Sequence, residues 1–462
     1  MLTVRTPNGR NAMRRYVCAV VLGEWLGLPW RHVSEPRTDV VISMNGSSSQ
    51  LRMPDIFFSV SNIDWLSTVT LPRPRLELWD TRSLINEKNA LITNHVPVLY
   101  GVGTSSLDYE NNCVTLPIDL FGSIFFMLAA YDELVCNDRD GHERFPARAS
   151  VAYQSGFLDR PLADEYSEIL WNALHKLWPQ LKRTILNPRI ILSCDVDEPF
   201  DSTVSNLQTY FRASVGDFIK RKSTRDAWRR FCCFINNRRQ NYKYDFCYTF
   251  EKYISLCQEY KLSAAFYFIP SSLNPNNGCY SISDKKILQL MRKLSDAGFE
   301  IGMHGCYEAY RDLKSTHNHY LLLNNALINA GINQPLKGNR QHYLRWDSSK
   351  TPAILDASDF LYDTTGGFAD CSGFRFGTAR EFSMWDWGSE TQLKLCQRPL
   401  IVMDRTIIDD IYMGLGTGAE ASDYIKMLRD RALKFGGQFT ILWHNTSLIK
   451  SSEADLLREV IG

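Results

Sequence analysis

The sequence predicts an α/β protein in which a distorted (β/α) barrel, residues 183–462, follows a smaller α+β domain, residues 1–182. From residue 189 onward, β-rich apolar runs alternate with segments of helical periodicity. Such alternation implies parallel strands with helices packed outside them. The alternating part spans about 270 residues, which is a usual size for a closed or nearly closed β/α barrel.

The elements of the barrel follow from short apolar runs bounded by turn residues and from helical periodicity. Strands are predicted at 189–195, 264–269, 299–304, 340–344, 400–404 and 439–444, and helices at 250–260, 284–297, 319–330, 349–358 and 421–434. The pair Gly436-Gly437 ends the last of these helices before its strand. Chemistry in such barrels lies at the carboxyl ends of the strands, so the residues after these runs are the candidates for a site.

The first 182 residues carry weaker signals. Helices are predicted at 12–27, 120–134 and 162–181, and strands at 39–43, 55–59 and 96–100. A polar loop at 136–145 is interpreted as solvated, with contact to a partner or substrate as the alternative. No pattern in this part has metal-ligand spacing.

Composition argues against several classes of function. The formal net charge of +1 gives no overall field that favours nucleic acid or an anionic membrane. The 12 cysteines include no C-x-x-C pair and favour a reducing compartment. No run approaches the ~20 apolar residues that span a bilayer, and the run at 16–23 lacks a signal-peptide cleavage site. We therefore expect a cytoplasmic protein with no transmembrane segment.

A basic insert at about 205–245 interrupts the barrel pattern. It contains Lys220-Arg221-Lys222, Arg229-Arg230 and Arg238-Arg239, with Trp228, Phe231 and Phe234 among them. We interpret it as an amphipathic helical insert that packs its aromatic side chains on the barrel. A nucleic-acid surface is the alternative, and an anionic polysaccharide or lipid-linked substrate is an intermediate possibility.

Charged and imidazole groups directly follow four of the predicted strands. Asp195 and Asp197 follow the first, and strand alternation puts both side chains on one side. Two carboxylates this close repel each other unless a cation lies between them. The remaining groups at strand ends are His304, Arg340, His342 and His444. Two carboxylates, three histidines and an arginine at one end of a sheet are the parts of a metal-assisted hydrolase.

Each of these signals has a purely structural explanation when taken alone. A D-x-D followed by proline is common in turns, and a histidine that closes a buried strand is often a core side chain. Their occurrence on four strands together favours a site. The H-x-H pair of His317 and His319 lies at a predicted helix start, so we interpret both as surface residues.

These segments resemble the polysaccharide deacetylase superfamily, the NodB homology domain. Its first motif pairs two aspartates after a strand, as Asp195-Val196-Asp197 does, and its second ends a strand E-I-x-x-H, which residues 300–304 match. Its third motif supplies an arginine, matched by Arg340, and its last is Leu-x-His, matched by Leu442-Trp443-His444. Segment 121–166 resembles the uncharacterised N-terminal domain of a bacterial branch, so the resemblance covers nearly the whole chain.

The resemblance implies a hydrolase that removes acetyl groups from a sugar or surface polysaccharide by cleaving an amide C–N bond. It implies that Asp195 is the catalytic base, that Arg340 orients it, and that His444 is the acid. Asp197 and His304 would hold a divalent metal, with zinc preferred. The residues of the wider pattern that we expect to contact substrate are Tyr307, Arg345, Arg375 and Trp443. No nucleic-acid partner is expected.

One position departs from the superfamily. Its second motif has another histidine four residues after the first, and this sequence has Glu308 there. Either Glu308 or His342 is then the third metal ligand. If neither holds metal firmly, the chain is a carbohydrate-binding protein of the same fold with weak or no catalysis. The aromatic residues that either stack on sugar rings or belong to the core are Trp346, Phe374, Phe376, Trp385 and Trp387.

Overall fold

The computed structural model describes residues 1–85, 90–103, 108–110, 112–219 and 223–462. Two sheets dominate this mixed α/β fold, one of six strands in the first part of the chain and one of nine in the second. A separate two-stranded ribbon completes the first part. The predicted class, α/β with a distinct β/α pattern in the second part, is confirmed at this level.

The first part, up to about residue 180, is built on a mixed sheet in the order β2-β1-β3-β4-β8-β7, with β5 and β6 paired separately. Its strands are β1 Leu2–Thr6, β2 Trp30–Ser34, β3 Asp39–Met44, β4 Gln50–Pro54, β5 Glu77–Asp80, β6 His95–Val98, β7 Asp108–Glu110 and β8 Cys113–Thr115. Its helices are α1 Asn11–Cys18, α2 Leu120–Leu128, α3 Tyr131–Val135, α4 Val151–Gln154 and α5 Leu162–Leu177.

Two predictions for this part need correction. The predicted strand at 55–59 is wrong, because the amides of Ile56 and Phe57 both donate to Oδ2 of Asp119 at 2.9 Å and the chain turns into a 3₁₀ helix. The predicted helix at 120–134 is interrupted at Ala130, whose φ of 47° is left-handed. The helix predicted at 12–27 is present as α1 continued by a π-helix, Ala19–Trp25.

The second part is built on a sheet in the order β14-β15-β13-β12-β11-β10-β9-β17-β16. Its strands are β9 Arg189–Val196, β10 Ser263–Phe268, β11 Glu300–Gly305, β12 Gly338–Gln341, β13 Tyr362–Asp363, β14 Phe382–Asp386, β15 Thr391–Gln397, β16 Val402–Met403 and β17 Gln438–Leu442. Its helices are α6 Leu207–Ile219, α7 Thr224–Arg238, α8 Phe250–Glu259, α9 Lys285–Asp296, α10 Leu313–Asn329, α11 Thr351–Ala357, α12 Asp404–Ile408, α13 Ala419–Lys434 and α14 Ser451–Ile461.

This sheet is a curled half-barrel rather than a closed barrel. All its strand pairs are parallel except β14 with β15. In the part of the chain that the structure describes, no hydrogen bonds join the edge strands β14 and β16. β16 has only two residues, which leaves little backbone for closure. The carboxyl ends of the parallel strands still meet at one edge, which is what positions the site.

Helix α10 begins earlier than predicted, and this changes the position of one histidine. Asp312 caps it by accepting a hydrogen bond from the amide of Ser315 at 3.1 Å. His317 is exposed, as predicted. His319 is instead 7% exposed, because it lies on the same helix face as Thr316 and Leu323, both wholly buried. The prediction that His319 is a surface residue is therefore wrong.

The basic insert forms the helices α6 and α7. Helix α7 buries Ala227, Arg230 and Cys233, whereas Trp228 and Phe231 remain 66% and 39% exposed. The predicted packing of these two aromatic side chains on the barrel is therefore wrong. The run Lys220-Arg221-Lys222 lies outside the described residues.

The two parts of the chain share apolar contacts. The core of the first part also includes residues of the second: Phe368, Phe376, Phe382, Trp385 and Phe435. Of the five aromatic residues with two possible roles, four are almost wholly buried and Trp387 is half-buried, which favours their place in the core. The boundary at residues 182 and 183 stays a prediction.

Candidate active site

Four parallel strands, β12, β11, β9 and β17, bring the predicted site residues to one edge of the sheet, with β10 lying between β11 and β9. In the β11–β12 register His304 lies beside Arg340, and Leu442 of β17 lies beside Ser193 of β9. Asp197 and His444 follow the last residues of β9 and β17. The end-of-strand pattern seen in the sequence therefore corresponds to a real cluster in space.

Three side chains in this cluster have the geometry of a metal site. Nε2 of His304 lies 3.4 Å from Oδ1 of Asp197, and Nε2 of His342 lies 3.6 Å from the same oxygen. Together these three residues offer ligand atoms within 4.8 Å of one another. Ligand atoms around a tetrahedral zinc ion with bonds of about 2.0–2.1 Å are separated by about 3.3 Å. The spacing therefore fits a zinc-sized ion with little rearrangement.

The hydrogen bonds and charges of these residues also fit a metal. Nδ1 of His304 lies 2.8 Å from the carbonyl oxygen of Arg340, which only accepts, so Nδ1 carries the proton and Nε2 is free to ligate. Burial lowers the pKa of His342 to about 3, so its ring is neutral at pH 7. Oδ1 of Asp197 is buried and has no hydrogen-bond partner among the described residues. A metal would supply that partner.

The pKa values of the other two residues depend on each other. Burial opposes the charge on Asp197, but His304, His342 and His444 outweigh it and hold the pKa of its carboxyl well below the usual range. Burial also opposes the charge on His304, but Asp195 and Asp197 raise the pKa of its imidazole. At neutral pH the carboxylate is charged, and a metal competes with a proton for the His304 ring.

Asp195 lies beside the metal-site residues but has a different set of neighbours. Its Oδ2 is 3.6 Å from Nε2 of His304, and its Oδ1 is 3.7 Å from Nε of Arg340. Arg340 is wholly buried and donates from Nη2 to the hydroxyl of Ser193 at 2.7 Å. Its Nε and Nη1 have no hydrogen-bond partner among the residues the structure describes. Arg340 therefore places a fixed positive charge beside Asp195.

His444 is held by a residue that the sequence analysis did not single out. Asp404, wholly buried at the start of α12, has Oδ1 2.7 Å from Nδ1 of His444. The other ring nitrogen, Nε2, faces Oδ2 of Asp197 at 3.7 Å. Burial opposes the charge on His444, but Asp404 outweighs it and raises the pKa of the imidazole to about 9. Asp404 ends the predicted strand at 400–404, so the end-of-strand pattern alone would have indicated it.

A loop from the first part of the chain reaches the site. Nδ1 of His142 lies 3.2 Å from the hydroxyl of Tyr307, and the His142 ring is 4.6 Å from that of Tyr343. Arg345 donates to the carbonyl oxygens of both His142 and Tyr307, at 2.9 and 2.7 Å. Within the described residues, the 136–145 loop packs against the second part, so its interpretation as a solvated loop is wrong. No sequence pattern linked His142 to the strand ends.

The loop after β12, which carries His342, has an unusual backbone. The predicted strand at 340–344 stops at Gln341, because Tyr343 and Leu344 have φ of 60° and 55°. Left-handed conformations of this kind cost roughly 1–2 kcal/mol for each residue other than glycine. Arg144 donates from Nη1 to the carbonyl of Tyr343 at 2.9 Å and is itself paired with Asp140 at 2.7 Å. The loop at 136–145 therefore stabilises the backbone that positions His342.

The residues predicted to contact substrate differ in how much of their side chains is available for contact. Tyr307 is half-buried next to the site. Arg345 and Arg375 are engaged internally, the second through an ion pair with Glu133 at 2.5 Å. Trp443 is wholly buried, so its predicted contact with substrate has no exposed surface to act through.

Glu308, the alternative third ligand, does not join the Asp197 cluster in the structure. It lies instead with Cys306 and His319 in a second group of possible ligand atoms. His342 is the residue that the structure places with Asp197 and His304.

Comparison with known proteins gives limited likenesses. Residues 2–179 match a family of unknown function, DUF7033. No curated protein matches the chain. Over 60% of this chain, the fold is similar to a protein from Mycobacterium smegmatis assigned as a polysaccharide deacetylase (17% identity, 84% of that chain, TM-score 0.36). Over 60% of this chain, it is also similar to the Puue allantoinase, with 13% identity, 82% of that chain covered and a TM-score of 0.35. A protein from Pseudomonas aeruginosa PAO1 assigned as a polysaccharide deacetylase is similar over 60% of this chain as well, with 14% identity, 83% of that chain covered and a TM-score of 0.35. At these TM-scores the likeness says nothing about the reaction of this chain.

Two further findings concern the environment of the protein. Among the described residues, no helix is long and apolar enough to cross a membrane. All 12 cysteines are free thiols.

Proposed function

We propose that this chain is a metal-dependent hydrolase that removes acetyl groups from a sugar or polysaccharide, cleaving an amide C–N bond. One observation carries the proposal. A three-residue ligand group, a carboxylate held beside a buried arginine, and a histidine paired with a buried aspartate all face one another at the same sheet edge. These are the parts that hydrolysis of an acyl group needs.

Asp197, His304 and His342 would hold the metal, and zinc suits their two nitrogen donors and one oxygen donor. Zinc held by these residues would lower the pKa of a bound water molecule towards ~7 and would polarise the acyl carbonyl. The ring of His342 is neutral, and Nε2 of His304 is free once its Nδ1 donates to the carbonyl oxygen of Arg340. Oδ1 of Asp197 is buried and has no well-formed hydrogen bond among the described residues, and a metal would replace its 3.4 Å contact with Nε2 of His304.

Asp195 is the proposed base. Water attacks the carbonyl carbon, and the carboxylate of Asp195 takes the water proton as the new C–O bond forms. Arg340 orients Asp195, because its buried guanidinium lies 3.7 Å from the carboxylate oxygen. Ser193 holds the arginine in place through the hydrogen bond to its hydroxyl. General-base catalysis of this kind contributes about 10²–10⁴-fold.

His444 is the proposed acid. The C–N bond breaks as the Nε2 proton of His444 passes to the departing nitrogen, which leaves an amine and acetate. An amine is a poor leaving group unless it is protonated, so an acid with a pKa of about 9 suits an amide substrate. Asp404 positions the ring and stabilises its positive charge.

Aromatic rings near the site fit a sugar substrate. Tyr343 is 38% exposed beside the His142 ring, and Tyr307 is half-buried next to both. Exposed faces of such rings stack on the apolar faces of sugars. The free thiols are in keeping with the cytoplasmic location that we propose.

The test is acetate release by the zinc-loaded full chain, using N-acetylglucosamine oligosaccharides and O-acetylated xylooligosaccharides. We expect release from the N-acetylated set in the wild type and in His317→Ala, the control at an exposed histidine, and none in His304→Ala. We expect His304→Ala to hold about one zinc ion fewer per chain. Equal zinc in all three proteins, or no acetate from any substrate, would contradict the proposal. Sugar binding without acetate release would support the catalytically inactive alternative.

A further inference from the structure

A second group of possible metal ligands lies outside the candidate active site. Cys306 directly follows β11, Glu308 is two residues further on, and His319 comes from the second turn of α10. Each offers a ligand atom, and these atoms all lie within 4.8 Å of one another. The group shares no residue with the Asp197, His304 and His342 cluster.

The environment of His319 points to a missing partner. The residue is only 7% exposed, and its Nδ1 is buried with no hydrogen-bond partner among the described residues. Buried imidazole nitrogens are normally paired, because an unpaired polar atom in the interior costs free energy. Glu308 is the exposed, acidic member of the group, and among the described residues its carboxylate accepts one long hydrogen bond, 3.4 Å from Nδ2 of Asn277.

Cys306 completes the set with a sulfur donor. It is 1% exposed, and its Sγ makes only a weak contact, 3.5 Å from the carbonyl oxygen of Ser271. A thiolate, an imidazole and a carboxylate together suit zinc, which accepts sulfur, nitrogen and oxygen ligands in a tetrahedral arrangement. Hard ions such as Mg²⁺ and Ca²⁺ take oxygen ligands almost exclusively, so this donor set disfavours them.

We propose that Cys306, Glu308 and His319 form a second, structural zinc site, with water or the Ser271 carbonyl in the fourth position. On binding, the thiol of Cys306 loses its proton to solvent, and no oxidant or reductant is involved. The site ties the end of β11 to α10 and so fixes the segment 306–308. This segment carries Tyr307, whose hydroxyl contacts His142 and whose carbonyl accepts from Arg345.

The cysteine ligand allows the two proposed metal sites to be distinguished by spectroscopy. Only the second site contains a cysteine, so Co²⁺ bound there gives a near-ultraviolet sulfur-to-metal charge-transfer band, whereas Co²⁺ held by Asp197, His304 and His342 does not. The probe is Co²⁺ added to the full chain purified under reducing conditions and freed of metal. Zinc content of the untreated protein is measured beside it.

We expect the band in the wild type, in His304→Ala and in the controls Cys279→Ser and His317→Ala, which change an exposed thiol and an exposed histidine on α10. We expect the band to disappear in Cys306→Ser. In His319→Gln we expect the apparent affinity for Co²⁺, measured from the band, to fall at least tenfold. Circular dichroism confirms that each variant is folded.

Absence of the band from the wild type, or its persistence in Cys306→Ser, overturns the proposal. These results are independent of the proposed function. If His304→Ala shows the band and the wild type releases no acetate, the second zinc site is supported and the proposed hydrolase function is contradicted.

Discussion

Asp404, which is wholly buried, and His444, whose side chain is 16% exposed, form a pair in which the imidazole Nδ1–H donates to Oδ1 of Asp404 across 2.7 Å. The backbone amide of His444 donates to the other carboxylate oxygen, also at 2.7 Å, and the hydroxyl of Ser447 donates to the same oxygen. These bonds fix the tautomer and the ring orientation, so Nε2 points at Asp197. The pair therefore holds a charged imidazole at the sheet edge at neutral pH.

Changing Asp404 to Asn should lower the pKa of His444 and the rate of hydrolysis together. The pKa of about 9 depends on the Asp404 charge, which the amide lacks. In the wild type we expect activity to fall as pH rises through about 9, because His444 then loses the proton it donates. In Asp404→Asn the alkaline limb should move to lower pH, with kcat reduced about 10²–10⁴-fold. The measurement is a pH profile of kcat/KM together with an NMR titration of His444. An alkaline limb at the same pH in both proteins would contradict the role of Asp404 in raising the pKa of His444.

The same pair makes a prediction about stability. The pKa of His444 is raised in the folded state, so its contribution is fully present below the unfolded pKa of about 6.5 and is lost as pH rises through about 9. A shift of this size corresponds to about 3 kcal/mol. The difference in unfolding free energy between the wild type and Asp404→Asn should therefore be largest near pH 6, shrink as pH rises from about 6.5 through about 9, and be nearly absent above that. Urea unfolding at several pH values measures it, and a difference independent of pH would count against the pair.

Changing Asp195 to Asn should abolish turnover while zinc stays bound. Asp195 lies beside the proposed metal ligands but is not one of the three that surround the site, and the amide cannot accept the water proton. We expect kcat to fall by at least about 10²–10⁴-fold. Asp197→Asn is the matched variant two residues away, and it should lose the zinc ion of the Asp197 site together with activity. Similar zinc loss in the two variants would show that Asp195 is a ligand rather than the base.

The parts of the site on strand ends were predictable from sequence because one local pattern marks them all. Apolar β-rich runs end at Asp195, His304 and His444, and parallel strands bring their carboxyl ends together. Local sequence thus carries the information for these groups. Arg340 lies beside His304 because β12 runs from Gly338 to Gln341 and so ends three residues earlier than predicted.

The remaining parts depend on contacts between distant segments. The choice between His342 and Glu308 depends on left-handed residues at Tyr343 and Leu344, which local propensity disfavours and the surrounding packing imposes. His142 reaches the site from a loop far away in sequence, and no periodicity indicates where such a loop packs. The open sheet likewise follows from the short β16, whose length the apolar run at 400–404 overstated.

Removing the His342 ring tests which residue is the third ligand. His342→Ala should lose zinc from the Asp197 site and acetate release with it, because two remaining ligands hold the ion weakly. Zinc content and acetate release measure both effects. His317→Ala, which removes an exposed ring, is the control. Full zinc occupancy in a folded His342→Ala protein would show that another group completes the site.

Changing Arg144 to Ala should disturb the site from the first part of the chain. Arg144 is 7% exposed, and its guanidinium donates to the carbonyl of Tyr343 and pairs with Asp140. Loss of these bonds leaves partly buried acceptors unpaired, which lowers the free energy of unfolding by about 1 kcal/mol. It also releases the left-handed backbone at Tyr343 that sets the position of His342.

We therefore expect a lower unfolding free energy together with weaker zinc binding and a raised KM, whereas a purely structural role would change the first alone. Arg148→Ala, at an exposed arginine four residues away, is the matched control and should change none of the three. Urea unfolding, zinc titration and steady-state kinetics on both variants give the comparison. Identical zinc affinity and KM in Arg144→Ala and Arg148→Ala would show that the 136–145 loop packs against the site without shaping it.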